Sequence, residues 1–140
     1  MTRDQIVAMF ERRLAAYERR DAAALAADYS ADCVIESPSG GTHHGRAAAE
    51  HVLRGVFDAF EVRLQQESVI IDGDAVAQVV TITGKDVGIF LGLMPTGKPF
   101  RVAGVFLYDL KDGLIVRERR IYDFTALLIQ IGLLKAKPAS

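Results

Sequence analysis

Cysteine is close to missing from this sequence: Cys33 stands alone among 140 residues. An internal disulfide is therefore excluded, and a lone cysteine inside a strand-like run reads as a small buried apolar side chain. Tryptophan is absent, and neither sign of charge dominates, since the formal net charge is −1 at pH 7. That balance leaves no electrostatic footprint for nucleic acid or for an anionic membrane surface. No apolar run approaches the ~18 residues that a membrane-spanning helix needs. The first residues, MTRDQIVAMFERR, are charged and amphipathic and lack the uninterrupted apolar core of a secretion signal, so a cytoplasmic protein is expected. Half of the residues are apolar and a quarter charged, which suits one domain over residues 1–140 with a core that needs neither disulfide nor metal.

The last third of the chain carries the strongest pattern. Val102, Gly104, Phe106 and Tyr108 alternate with Arg101, Ala103, Val105 and Leu107, and both sets contain apolar residues, so which face turns inward stays open. Lys111-Asp112-Gly113 predicts a hairpin turn, and residues 115–122 the return strand. Asp123 ends that strand, and the apolar tail Phe124 to Leu134 follows as a closing helix. Asp123 admits two roles: an N-cap of the last helix, or the one polar handle of an apolar ligand cavity.

Taken in order, residues 2–20 predict a helix, with Thr2 as N-cap and Gln5 in the capping-box position. Ile6, Met9, Phe10, Leu14 and Tyr17 share one face, with Arg12, Arg13, Glu18 and Arg19 mostly elsewhere. Asp21 starts a short alanine-rich helix over 22–29, and Cys33 to Ser37 a short strand that Pro38, Gly40 and Gly41 end. Gly45-Arg46 opens a third helix reaching Phe60, with an apolar stripe of Val52, Leu53, Val56, Phe57 and Phe60. From Val62 the period becomes two, with a turn at Asp72-Gly73-Asp74 and a long strand, Val76 to Asp86. On that strand Val76, Val80, Ile82, Gly84 and Asp86 share a face. Helices first, four strands in meander next and a helix last define an α+β fold.

The element order, Gly45-Arg46 at the third helix, the loop GIFLGLMPTG at 88–97, the run Asp112-Gly113-Leu114-Ile115-Val116, and the ending Tyr122-Asp123-Phe124…Leu127-Leu128…Gln130-Ile131-Gly132 together resemble the SnoaL-like branch of the NTF2-like superfamily. The resemblance spans nearly the whole chain. It implies a curved antiparallel sheet, or cone, wrapped by the N-terminal helices and closed by the C-terminal one, and a homodimer through the outer sheet face, where Val79, Ala103, Val105 and Leu107 are candidates. In SnoaL-like cyclases an aspartate at the end of the last strand is the acid/base for ring closure, a position that Asp123 matches. The Gly-Thr-His that the branch often carries before its Pro-Thr-Gly loop reads Gly84-Lys85-Asp86 here, so Asp86 replaces the histidine.

These matches imply a catalytic pair, Asp86 and Asp123, in which two carboxylates in one apolar pocket split into an acid and a base. Arg119, four residues before Asp123, either points into the cavity to hold them ionised or belongs to the surface charge run Arg117-Glu118-Arg119-Arg120. An Asp–Arg–Asp set is how limonene-type epoxide hydrolases of the superfamily activate water; the likeness is partial, because Gly84 stands two before Asp86. The ketosteroid isomerase positions fall near Arg13, Ser37 and Gly104 and hold none of the required groups, so isomerisation by that mechanism is not expected. Tyr17, Ser37, His44, Phe57, Phe60, Phe90 and Phe106 are the candidate substrate-binding residues, with His44 a proton carrier at the mouth. Glu36, opposite in parity to Ser37, is expected in a solvated or sheet-edge role rather than a catalytic one. His43, His44 and His51 lack metal-ligand spacing, and neither metal nor cofactor is expected. The expected function is general acid/base chemistry of the cyclase, isomerase or hydrolase type on a small apolar molecule, with ligand binding or dimerisation without catalysis as the alternative.

Overall fold

The structure, a computed structural model, describes residues 1–135. Helices α1 (Arg3–Glu18) and α2 (Ala22–Ala26) lead into strand β1 (Tyr29–Ser37) and the short β2 (Gly41–His44). Helix α3 (Arg46–Ala59) precedes the meander β3 (Phe60–Asp72), β4 (Ala75–Asp86), β5 (Pro99–Lys111) and β6 (Leu114–Tyr122), and α4 (Phe124–Gln130) closes the chain. The six strands form one sheet in the order β2-β1-β6-β5-β4-β3. All pairs are antiparallel except β1 with β6, so the sheet is mixed rather than purely antiparallel. That parallel pair arises because β1 returns to lie beside the last strand of the meander while α3 carries the chain to the far edge. No helix among the described residues is long and apolar enough to cross a membrane.

The local signals for caps and turns hold. Thr2 Oγ1 accepts from Gln5 N at 3.2 Å while Gln5 Oε1 accepts from Thr2 N at 2.9 Å, a reciprocal capping box. Asp112 (φ 52°) and Gly113 (φ 79°) make the β5–β6 turn, both in the left-handed region that a tight hairpin requires. Two boundaries differ from expectation. The alanine-rich helix stops at Ala26, and Tyr29 is already a strand residue, fully buried. The glycine-rich segment before α3 is a strand, β2, which pairs with β1 from Val34↔His44 to Ser37↔Gly41.

Strand parity builds the concave face. On β4, Val76, Gln78, Val80, Ile82 and Asp86 are buried, and on β5 so are Phe100, Val102, Gly104, Phe106, Tyr108 and Leu110, which settles the open face of residues 101–108. The return strand does not continue that register. Lys111 pairs with Leu114 and Leu110 with Ile115, but Asp109 pairs with Arg117, which leaves Val116 as an unpaired bulge residue. Without the bulge, Phe106 would face Arg119, and Arg119, Ile121 and Asp123 would turn inward. With it, Phe106 faces Arg120 and Tyr108 faces Glu118, so Glu118 and Arg120 turn inward and Arg119 and Ile121 outward.

The open end is closed by α4 and by the loop 87–97. Past Ala103, whose carbonyl accepts from Asp123 N at 3.4 Å, Gln130 takes the place of a strand partner on the β6 side of β5: Arg101 N donates to Gln130 Oε1 at 2.7 Å, and Gln130 Nε2 donates to Arg101 O at 3.0 Å. Leu127 is buried beneath α4. The loop is tied at both ends. Thr96 N and Thr96 Oγ1 donate to Asp86 Oδ2 at 2.8 and 2.6 Å, and Gly88 passes so close to α3 that a Cβ there would lie 2.1 Å from Asp58 O. Only glycine fits that approach.

Asp123 caps α4, accepting from Ala126 N at 2.9 Å, and its side chain is exposed. Replacing Asp123 with Ala is expected to lower stability by about 1 kcal/mol, the ordinary worth of an N-cap, in denaturant titration. Binding of apolar probes in the cone is expected to be unchanged. A loss of probe binding without loss of stability would return Asp123 to the cavity.

Candidate functional site

The sheet, α3 and the loop 87–97 enclose a cavity of about 310 Å³. Its deep wall is apolar and buried: Phe60, Val62, Ile82, Phe100, Val102 and Phe106, with Leu127 from α4. Phe60 meets Phe90 and Phe100 edge-to-face at 4.9 and 5.4 Å, which fixes the ring positions of that wall. The rim is more polar and exposed: Ser37, Ser39, Gly40 and His43 from β1, β2 and their turn, and His51 and Gly55 from α3. Tyr122 Oη donates to Ser39 Oγ at 3.0 Å and ties the last strand to that turn.

Of the candidate substrate-binding residues, Tyr17, Ser37, Phe60, Phe90 and Phe106 line this cavity. Phe57 does not; it is buried behind Tyr17, edge-to-face at 5.0 Å. His44 does not line it either. The β1–β2 ladder pairs Ile35 with His43, so His43 shares the face of the fully buried Ile35, and His44 turns to solvent.

The three expected catalytic residues are not brought together. Arg119 is on the outer face with its side chain 59% exposed, and its Nε lies 3.8 Å from Glu36 Oε2. Glu36 is partly solvated but not at a sheet edge, since β1 lies between β2 and β6; it also accepts from Arg117 Nη2 at 2.9 Å. Asp123 is the exposed helix cap. Asp86 is buried, but it closes the base of the 87–97 loop and does not line the cavity; its Oδ1 has no partner among the described residues. The bulge at Val116 accounts for Arg119 and Asp123, since it reverses the parity that would have aimed both inward. No carboxylate lines the cavity among the described residues; its titratable side chains are Tyr17, His43, His51, Arg120 and Tyr122.

Beneath the cavity floor lies a buried ionic network absent from the sequence expectations. Glu118 is fully buried. Tyr29 Oη donates to its Oε2 at 2.6 Å, and Arg120 Nε donates to its Oε1 at 3.2 Å. Arg13, expected off the apolar face of α1, is buried; it donates to Tyr29 Oη at 3.1 Å, to Asp28 Oδ2 at 2.9 Å and to Leu25 O at 2.9 Å. Arg12 takes the other side of Asp28 at 2.7 Å. Tyr108 Oη donates to Gln78 Oε1 at 3.4 Å beside this network.

Burial alone would push the Glu118 carboxyl up, but the guanidiniums of Arg120 and Arg13 and the Tyr29 hydroxyl outweigh it and hold it below the usual carboxylate range. Burial works against the charges of Arg13 and Arg120 as well; nearby Tyr29 and Glu118 more than offset this, so both guanidiniums stay charged. Burial, with Glu118 close by, pushes the Tyr108 and Tyr29 hydroxyls up, so both stay protonated. Among the described residues no cluster of three or more His, Cys, Asp or Glu is placed to hold a metal ion.

A folded-state value below the ordinary 4.5 means that the Glu118 contribution to stability is fully present above about pH 4.5 and is lost as the pH falls through the lower folded value. Glu118→Gln is therefore expected to remove that acid limb from a stability–pH curve. At neutral pH it is expected to cost about 3–5 kcal/mol, the usual penalty for stranding buried guanidiniums. An unchanged midpoint in urea would contradict the network.

The model of the SnoaL-like polyketide cyclase family matches residues 8–131. No curated protein is matched. Solved structures share the fold. AclR of Streptomyces galilaeus, described as a candidate hydroxylase, is 25% identical with a TM-score of 0.82, covering 98% of this chain and 91% of its own. TsrD of Streptomyces laurentii is 24% identical with a TM-score of 0.84, covering 96% and 99%. A candidate polyketide cyclase of Xanthomonas campestris pv. campestris is 23% identical with a TM-score of 0.84, covering 92% and 98%. With the family model matched over almost its whole length and the same architecture in these neighbours, the chain belongs to the SnoaL-like polyketide cyclase family.

Proposed function

We propose that this protein is a small-molecule enzyme that transfers a proton on an apolar carbonyl compound held in the cone, with the His43 imidazole as the acid/base group. The observation that carries this reading is the composition of the cavity wall: it contains two imidazoles and no carboxylate among the described residues. Histidine exchanges a proton near neutral pH without needing a shifted environment. His43 is the better placed of the two, because it is half-buried while His51 is exposed. Cyclase-type ring closure and isomerisation both begin with removal of a proton next to a carbonyl, so either fits this site. Water activation by an Asp–Arg–Asp set does not fit it, since Asp86, Arg119 and Asp123 lie apart.

The reading is tested with 2-tetralone in D2O, an apolar ketone whose α-protons exchange through its enolate. His43 takes a proton from carbon, the electron pair passes to the carbonyl oxygen, and a deuteron returns to carbon. The protein is expected to accelerate exchange above buffer, and His43→Asn to lose about 10²-fold or more of that rate. Equal rates in wild type, His43→Asn and His51→Asn would reject it. Ligand binding without catalysis is the second reading, favoured by the exposure of Asp123; it predicts probe binding with no acceleration of exchange.

We also propose that the protein works in the cytoplasm as a homodimer through the outer sheet face. Val79 and Val105 are paired neighbours there, with Thr81↔Ala103 and Ala77↔Leu107 on either side, and Leu107 and Ile121 are 38% and 45% exposed. Sedimentation equilibrium is expected to give a dimer that Leu107→Glu dissociates. A wild-type monomer would contradict this.

A further inference from the structure

Arg120 is anchored on one side only. Its Nε donates to Glu118 Oε1, and its guanidinium stacks 5.4 Å from the centroid of Phe106. Among the described residues its two Nη atoms have no hydrogen-bond partner, although the side chain is 6% exposed and lines the cavity. A guanidinium has five N–H donors, and one that serves only as a counter-ion to a carboxylate commonly uses two of them in a parallel fork. Here Glu118 is already committed, with Oε2 taken by Tyr29 and Oε1 by Arg120 Nε. The remaining donors are held over an apolar pocket, where an unsatisfied charged group is costly.

Arg12 and Arg13 both converge on Asp28, where Arg12 is exposed to solvent, and Glu118 is matched one to one with Arg120. Tyr17 lines the cavity too; its hydroxyl has no partner among the described residues, and the Arg120 charge acts on it. Burial pushes that hydroxyl up, so it stays protonated and remains a donor.

We propose that the cavity takes its ligand as an oxyanion, received by the Arg120 Nη atoms with Tyr17 as a second donor, so that the substrate class is an apolar ring compound carrying one delocalised, negatively charged oxygen group. Donors already fixed in an apolar cavity favour the anion over the neutral form, because they need no reorganisation when charge develops. The proposal names the substrate class of the same site and rests on the reading that the cone holds an apolar ligand, but it does not depend on His43.

Two probes test it. One is 4-nitro-1-naphthol, whose ionised form is visible by its absorbance; the other is 2-naphthoate compared with neutral 2-naphthamide. In wild type the naphthol is expected to ionise at lower pH when bound than when free, and 2-naphthoate to bind at least about tenfold tighter than 2-naphthamide. In Glu118→Gln/Arg120→Gln, which removes the pair together, the naphthol pKa is expected to rise above its free value, as burial in an apolar cavity alone would make it. Should that double variant not fold, the wild-type comparison decides alone. A downward shift for the naphthol marks an enol or phenol as the bound form, and preference for naphthoate alone marks a carboxylate. A wild-type naphthol pKa that rises, together with 2-naphthamide binding as tightly as 2-naphthoate, would overturn the proposal. Both probes read binding and ionisation in the wild-type protein without turnover, so failure of the proton-transfer reading and failure of oxyanion binding are separable.

Discussion

Val116 has no partner on β5, and the parity of every residue after it in β6 depends on that. A strand carries its side chains to alternate faces, so one unpaired residue exchanges the inner and outer sets completely. In this chain the exchange falls within a run of charges. It puts Glu118 and Arg120 inside and leaves Arg117, Arg119 and Ile121 outside. A regular hairpin would have buried Arg119, Ile121 and Asp123 beneath the helices, and the polar chemistry of the cone would have been different.

Once Glu118 and Arg120 are inside, the rest of the floor has to answer them. A carboxylate with almost no access to water needs donors on both oxygens, and Tyr29 and Arg120 supply them. Tyr29 in turn needs its strand to begin at that residue, which explains why α2 stops at Ala26 although the alanine run could continue. Arg13 is drawn from α1 into the core to complete the set, and Asp28 balances it. The network thus links α1, β1 and β6, elements far apart in sequence, and its buried charges specify how they meet. On its cavity side, the Arg120 Nη atoms have no hydrogen-bond partner among the described residues.

Much of this architecture is legible in the sequence because it rests on local signals. The alternation of Val76, Val80 and Ile82 and of Val102, Phe106 and Tyr108 marks two inner faces, Thr2 and Asp21 mark helix starts, and Asp112-Gly113 marks the hairpin. The aromatic half of the cavity wall, Phe60, Phe90 and Phe106, follows from the same patterns. The polar half does not. Neither glycine nor proline marks the bulge at Val116, and β2 is too short and too rich in glycine and histidine to read as a strand, so His43 was hidden behind His44. Arg13 falls at a position where a charged residue is expected to face water, and only partners distant in sequence make its burial tolerable. Local pattern therefore locates the cavity, while long-range pairing decides which charges enter it.

The chain belongs to the SnoaL-like polyketide cyclase family, and among the described residues its cavity is lined by an imidazole at the rim and a guanidinium at the floor rather than by the expected aspartates. The inward place of Arg120 follows from the register of β6 on β5, while His43 is set by the pairing of β2 with β1. The most direct test is a side-chain NOESY spectrum of the isotopically labelled protein. Cross-peaks from the Phe106 ring to the Arg120 side chain, and none to Arg119 or Ile121, are the predicted result. Cross-peaks from Phe106 to Arg119 and from Gly104 to Ile121 across the hairpin would mean a regular register, and would contradict the site described here.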